Sequence, residues 1–164
     1  MKDLCIRPLK KEDFPAVEHL IYNTIISINS RDYPKDVIAA MLTLDPFRPR
    51  NTFQEREYFV YDDSGIEWII GVKDNEIKTF FVDVAYHGKG IGTTLLNYAT
   101  SILAEKGYMK SCVYSSISAK SFYEKHGYTL IREDHSDIQG FPMLRYFLEK
   151  KLFSDISDIK DSRV

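Results

Sequence analysis

Three glycines fall within five residues in the stretch Tyr86-His87-Gly88-Lys89-Gly90-Ile91-Gly92-Thr93-Thr94. Without side chains at those positions the backbone N–H groups of the turn are unshielded, and such turns form concave nests of donors. An apolar helix-like segment follows, so its positive dipole end points at the same spot. That segment holds no acid before Glu105, and Lys89 adds a positive charge inside the turn. The arrangement suits a phosphate or pyrophosphate, with His87, Gly88, Lys89, Gly90, Ile91, Gly92 and Thr93 as the binding residues. Glycines also serve structural turns that need positive φ, so other residues have to decide between the two roles. The spacing is not G-x-x-x-x-G-K-[ST], and the third glycine of a dinucleotide fingerprint is missing, which excludes a P-loop and a Rossmann site.

The elements that must position this turn are readable on either side. Ile77 to Val84 is rich in β-branched and aromatic residues, as a buried strand requires. From Ile91 the residues Ile91, Leu95, Leu96, Ala99, Ile102 and Leu103 form a helical stripe that Gly107 stops. Upstream, Asp3 to Pro8 reads as a strand. Asp13 is a candidate N-cap for a helix carrying Phe14, Val17, Leu20, Ile21, Thr24, Ile25 and Ile28 on one face. Lys35 to Leu44 predicts a second helix, and Asp45 to Thr52, with two prolines, a loop. Glu57 to Asp62 and Ile66 to Val72 predict a hairpin around Asp63-Ser64-Gly65. Downstream come a strand (Lys110 to Ser115), a short helix (Ala119 to Lys125) and two strands (Tyr128 to Glu133, Pro142 to Leu152). Residues 1–152 read as one domain and 153–164 as a polar tail.

At 164 residues, 28% charged and 44% hydrophobic, the chain has the balance of an ordinary globular domain with a core of its own. A net charge of −2 gives no support for non-specific nucleic-acid binding. No segment has the length and apolarity of a membrane span or the form of a signal peptide. Cys5 and Cys112 are far apart and read as buried free thiols in a reducing cytoplasm. The four histidines lack metal-ligand spacing, so no metal site is expected.

The order strand, two helices, three strands, helix, strand, helix, two strands, with the glycine turn opening the long helix, resembles the GCN5-related N-acetyltransferase (GNAT) superfamily. Its signature [QR]-x-x-G-x-[GA] is filled by His87-Gly88-Lys89-Gly90-Ile91-Gly92 read on this frame, with histidine for Gln or Arg. A second element, N-x-x-A-x-x-F-Y-E-K-x-G-[FY], is matched by Ser116 to Tyr128, with serine for the asparagine. Val84 stands where many members have proline. The resemblance implies an α/β fold, with a mixed, mostly antiparallel sheet of about seven strands and about four flanking helices. It also implies an acetyl-CoA-dependent N-acetyltransferase acting on a primary amine of a small molecule or peptide.

On this resemblance the amides from Gly88 to Thr93 hold the pyrophosphate of coenzyme A. Backbone around Val82 and Val84 meets the pantetheine arm and the developing oxyanion, and Ser116 bonds the arm or caps the short helix. Lys89 and Lys120 are candidates for the adenosine phosphates. Tyr123 matches the family's general acid. Its helical spacing with Ala119, Phe122 and His126 is also that of a core aromatic, and the motif favours the acid. Glu76, eleven residues before His87, is the candidate base, with an ordered water as the alternative. The acceptor is expected between Asn29–Tyr33 and Arg48–Glu57. Two other readings stay open: a non-catalytic acyl-CoA sensor, and acetylation of a tRNA or ribosomal target. A homodimer through the strand face bearing Trp68 and Ile70 is a further expectation.

Overall fold

A computed structural model describes residues 5–153. Seven strands, β1 (Ile6–Pro8), β2 (Glu57–Asp62), β3 (Ile66–Lys73), β4 (Glu76–Val82), β5 (Lys110–Ser115), β6 (Thr129–Ile138) and β7 (Phe141–Lys151), form one sheet. Their order is β1-β2-β3-β4-β5-β7-β6. Every neighbouring pair is antiparallel except β4 and β5. The helices are α1 (Phe14–Ser27), α2 (Lys35–Leu44), a single turn α3 (Arg48–Asn51), α4 (Ile91–Glu105) and α5 (Lys120–Lys125). The expected α/β architecture is therefore the observed one. Among the described residues no helix is long and apolar enough to cross a membrane.

The sheet separates two apolar cores. On one face Ile69 and Val60 pack with Val17, Ile21 and Ile25 of α1 and Val37 and Met41 of α2. On the other, Trp68 and Ile70 pack with Leu95, Leu96, Ala99 and Leu103 of α4 and with Tyr123 of α5. Between their bulges β3 and β4 alternate between these cores, as the two-residue period of a strand requires. Ile69 and Phe81 go to the first core, and Ile70, Phe80 and Val82 to the second. Trp68 and Ile70 are therefore 1% and 0% exposed, which removes the face expected to form a dimer. Helix α4 covers it.

Other expectations shift for local reasons. Asp45 to Thr52 is not an irregular loop, because Asp45–Phe47 forms a 3-10 turn that runs directly into α3. Asp13 stands at the head of α1 but does not cap it. Its carboxylate accepts from Arg7 Nη1 and Nη2 at 2.7 and 2.9 Å and from Lys10 N at 2.8 Å. Cys112 is buried as expected and Cys5 is exposed. Strand β4 ends at Val82 because the Asp83 carboxylate accepts from Ala85 N, at 2.9 Å, and starts a 3-10 turn. The tail from residue 154 lies outside the described residues.

Strand β4 carries one irregularity that bears on the site. Gly71 faces Thr79 and Val72 faces Ile77, so Lys78 is an extra residue, a β-bulge. Tyr58 covers the β3 side of the bulge, its hydroxyl 2.8 Å from Thr52 Oγ1. A Cβ on Gly71 would stand 2.7 Å from Tyr58 Cδ1, and closer still to Cε1. Because that ring is buried, Gly71→Ala is expected to lose about 1–3 kcal/mol through overpacking, read as a lower urea midpoint. An unchanged midpoint would show that the ring is free to swing away.

Candidate active site

Strand β4 pairs with β3 along its length but with β5 only at Glu76↔Cys112 and Ile77↔Val113. Beyond Ile77 the strands part. Asp83 N donates to Glu67 O on β3 at 2.9 Å, so strand alternation turns the N–H and C=O groups of Phe80 and Val82 away from β3 and into the gap. A cavity of about 1020 Å³ opens there. It is lined from both faces of the sheet, by Val82, Thr93 and Tyr123 on the α4/α5 side and by Asn29, Asp45 and Arg56 on the α1/α2 side.

The glycine turn forms one wall. His87 N donates to Val84 O and Thr94 N to Gly90 O, each at 3.2 Å. Between them the amides of Gly88, Lys89, Gly90, Ile91, Gly92 and Thr93 make no protein hydrogen bond of normal geometry among the described residues. The last three are the N-terminal donors that every α-helix leaves unpaired. Gly90, at the N-cap of α4, has φ +78° and a left-handed conformation, which a side chain would strain by about 1–2 kcal/mol. A Cβ on Gly88 or Gly90 would meet nothing within 4 Å, so backbone conformation and not crowding calls for glycine at these two positions. Gly92 has a different task. A Cβ there would lie 3.3 Å from Phe122 Cε2, so this glycine lets α5 approach α4 closely.

Side chains brace the turn from two directions. His87 Nε2 lies 2.8 Å from Val82 O, and since a carbonyl only accepts, that nitrogen carries the proton. His126 Nδ1 likewise donates to Phe122 O at 2.7 Å, and its Nε2 lies 2.9 Å from Thr93 Oγ1. His126 thus ties the end of α5 to the first turn of α4. Among the expected residues, Glu76, Val82, His87, Gly88, Gly90, Gly92, Thr93, Ser116 and Tyr123 all line the cavity. Val84, Lys89 and Ile91 are not among its lining residues. Val84 belongs to the 3-10 turn, and the Lys89 ammonium sits 5.3 Å from the Tyr86 ring centre. Lys120 also stays outside, 3.3 Å from Glu124 Oε1. The helix α5 has no side-chain cap, so Ser116 is not used in that way.

Tyr123 is both a core aromatic and a cavity residue, and the local sequence explains how. Helix α5 closes with a Schellman motif, in which Gly127 N donates to Glu124 O at 3.2 Å and Tyr128 N to Tyr123 O at 3.1 Å. Gly127 takes the left-handed conformation (φ +87°), and Tyr128 folds back on Tyr123 with ring centres 5.4 Å apart. The Tyr128 hydroxyl is 2.8 Å from Ser111 Oγ on β5. Phe80 lies 6.4 Å from the Tyr123 ring centre on another side. The Tyr123 hydroxyl has no hydrogen-bond partner among the described residues, and burial, with a smaller push from Tyr128, raises its pKa well above the ordinary tyrosine value. It therefore keeps its proton throughout the neutral range. Glu76 lines the closed end of the gap with Oε2 2.7 Å from Lys78 Nζ.

Residues 54–130 match the family model of the acetyltransferase (GNAT) domain, a span that holds the glycine turn, β4 and Tyr123. Those residues carry the sequence pattern of the GNAT superfamily. Over 153 residues the chain is 21% identical to the uncharacterized N-acetyltransferase YafP of Escherichia coli (strain K12), covering 92% of the chain and 98% of that protein. Its fold is similar to a GCN5-related N-acetyltransferase from Rhodopseudomonas palustris, with a TM-score of 0.84 at 19% identity over 92% of this chain and 97% of that one. It is also similar to the PaiA N-acetyltransferase of Thermoplasma acidophilum, solved with coenzyme A, with a TM-score of 0.68 at 21% identity over 91% and 99% of the two chains.

Sequence reasoning missed several wall residues of the cavity. Phe122 and His126 sit within the Ser116–Tyr128 element and carried a signal there. Asp137 and Arg145, on β6 and β7, carried none, because only the fold brings them to the cavity.

The unpartnered hydroxyl and the closing motif predict stability effects of different size. Tyr123→Phe is expected to change the unfolding free energy by less than about 0.5 kcal/mol, since no protein partner is orphaned. Gly127→Ala is expected to cost about 1–2 kcal/mol, because φ +87° is strained for any L side chain. Urea unfolding of the two variants side by side measures both.

Proposed function

We propose that the chain transfers the acetyl group of acetyl-CoA to a primary amine by direct attack. The observation that carries this reading is the run of unpaired amides from Gly88 to Thr93, which opens on the same gap as the Tyr123 hydroxyl and the slot-facing N–H groups of Phe80 and Val82. A row of N–H donors at a helix N-terminus matches a pyrophosphate, and unpaired strand groups match the amides of an extended pantetheine arm, which would lie in the gap like an added strand. When bound, coenzyme A supplies the acetyl group as an activated thioester.

The protein's own groups have three tasks. The acceptor must lose a proton, because an ammonium has no lone pair. Glu76 is the cavity carboxylate on β4 for this step, directly or through a water, once it shares its oxygen with something besides Lys78. The oxyanion that develops needs a donor in the gap, and Val82 N–H is fixed there by the strand itself. Tyr123, held protonated by burial, gives its proton to the leaving thiolate. Ser116 borders the pantetheine channel, and His87 keeps the Val82 carbonyl satisfied until an amide of the arm competes for it. The absence of a disulfide between Cys5 and Cys112 fits a cytoplasmic setting.

The sensor reading keeps the amides but leaves the Tyr123 hydroxyl, which has no protein partner among the described residues, without a task, and the net charge of −2 disfavours an RNA target. The test is thermal unfolding with and without acetyl-CoA, followed by acceptor-dependent thiol release. Acetyl-CoA at a hundredfold excess over its dissociation constant is expected to add about 2.7 kcal/mol of stability. Tyr123→Phe is expected to keep that shift and to lose turnover by about 10²-fold. No shift at millimolar acetyl-CoA would remove the acetyltransferase reading. Equal loss of binding and turnover in Tyr123→Phe would reduce the residue to a packing role.

A further inference from the structure

The α1/α2 side of the cavity brings together three guanidinium groups, those of Arg48, Arg56 and Arg145, with the carboxylates of Asp45 and Asp137. Most of these groups already have partners. Arg48 Nε donates to Asp45 Oδ1 at 2.8 Å. Arg145 Nε and Nη2 both reach Asp134 Oδ2, at 3.2 and 2.9 Å, and its guanidinium lies 4.7 Å from the Tyr114 ring centre. Asp137 Oδ1 accepts from Gly140 N at 2.8 Å. Arg56 differs. Among the described residues its side chain makes no hydrogen bond or ion pair, and its Nε is buried away from solvent with no partner. The carboxyl that could neutralise it, Asp45, is held by Arg48, and burial pushes the Asp45 pKa up in spite of Arg48, Arg145 and Arg56 nearby.

A guanidinium is always charged and presents five donors in a flat fork that fits two oxygens of one anion. Arg56 lines the cavity with no carboxylate on its guanidinium among the described residues, so an oxyanion of a ligand there would be its first charge partner. A polycationic amine would meet the same charge as repulsion. We propose, on top of the acetyltransferase reading, that the acceptor amine also carries an oxyanion, a carboxylate or a phosphoryl group, and that Arg56 binds it. The acceptor is then an amino acid or an aminoalkyl phosphate rather than a polyamine or an aminoglycoside. Its anionic end sits on the α1/α2 side, which leaves the amine to face β4 and Tyr123 through the gap.

The experiment uses the protein saturated with acetyl-CoA. Its unfolding temperature and its thiol release are followed with α- and ω-amino acids, the corresponding amino acid amides, aminoalkyl phosphates, and spermidine. Wild type, Arg56→Gln and Arg56→Lys are compared. The expected result is that one anionic set protects the protein against unfolding and is acetylated with a kcat/KM at least about tenfold above the amides or spermidine. Arg56→Gln should raise the KM for that set about tenfold or more, with a smaller rise for Arg56→Lys, while the shift given by acetyl-CoA alone stays as in wild type. Whether the amino acids or the phosphates respond identifies the oxyanion. Preference for spermidine or the amides overturns the proposal, as does absence of protection by both anionic sets, or an Arg56→Gln KM equal to wild type. Each of these leaves the acetyltransferase reading standing as long as acetyl-CoA itself stabilises the protein, and loss of that stabilisation in wild type would instead remove the reading beneath.

Discussion

Strand β4 can pair with β5 for two residues and no further, and the rest of the site depends on that separation. Backbone N–H and C=O groups in the middle of a sheet are ordinarily matched to a neighbouring strand, and unmatched ones are costly when buried. Here the mismatch is built in. The Lys78 bulge changes the course of β4 just where the pairing stops, and Phe80 and Phe81 commit their side chains to opposite cores. With the side chains anchored on both faces, β4 cannot rotate to recover its partner. Among the described residues, the polar edge facing the gap is therefore available to a ligand and meets the protein at the contact of His87 with Val82 O.

Around that gap the two faces recognise by different means. On the α4/α5 side the donors are amides of the main chain, present whatever side chains occupy the positions. Histidine at position 87, in place of Gln or Arg, leaves these donors as they are, since they lie in the backbone from Gly88 onward. Side chains contribute through bracing. Phe122 closes on Gly92, His126 spans to Thr93, and the motif ending at Tyr128 fixes Tyr123. On the α1/α2 side the polar atoms belong to long side chains whose pairing decides which remains available.

This difference explains how much could be read from the sequence. Helix α2 and strand β5 fall where periodicity and flanking breakers place them, Lys35–Leu44 and Lys110–Ser115. The glycine turn and the helix of Tyr123 are contiguous segments, and each holds its own chemistry within about a dozen residues. Strand β6 runs on to Ile138, past the expected Glu133, because its second half is polar and lacks a strand signature. It is held by pairing to β7, with Asp134 directly opposite Arg145 and bonded to it. The Trp68 and Ile70 face was misjudged because alternation tells which residues share a face and not what covers it. Strand β3 is buried almost throughout.

The family match is distributed in the same uneven way. Residues 54–130 include the glycine turn, the splayed strand and Tyr123. They omit everything before β2 save the short run holding Arg56, and all of β7, and so omit Asn29, Asp45, Arg48 and Arg145 at the far end of the cavity. A backbone cradle tolerates side-chain change as long as its conformation survives, so a family can share it at low identity. An arrangement of charged side chains does not survive such change, since one substitution repartners the rest. Similarity at about 20% identity therefore speaks to what the backbone holds, and the acceptor has to be sought in the pairing of this chain's own arginines and aspartates.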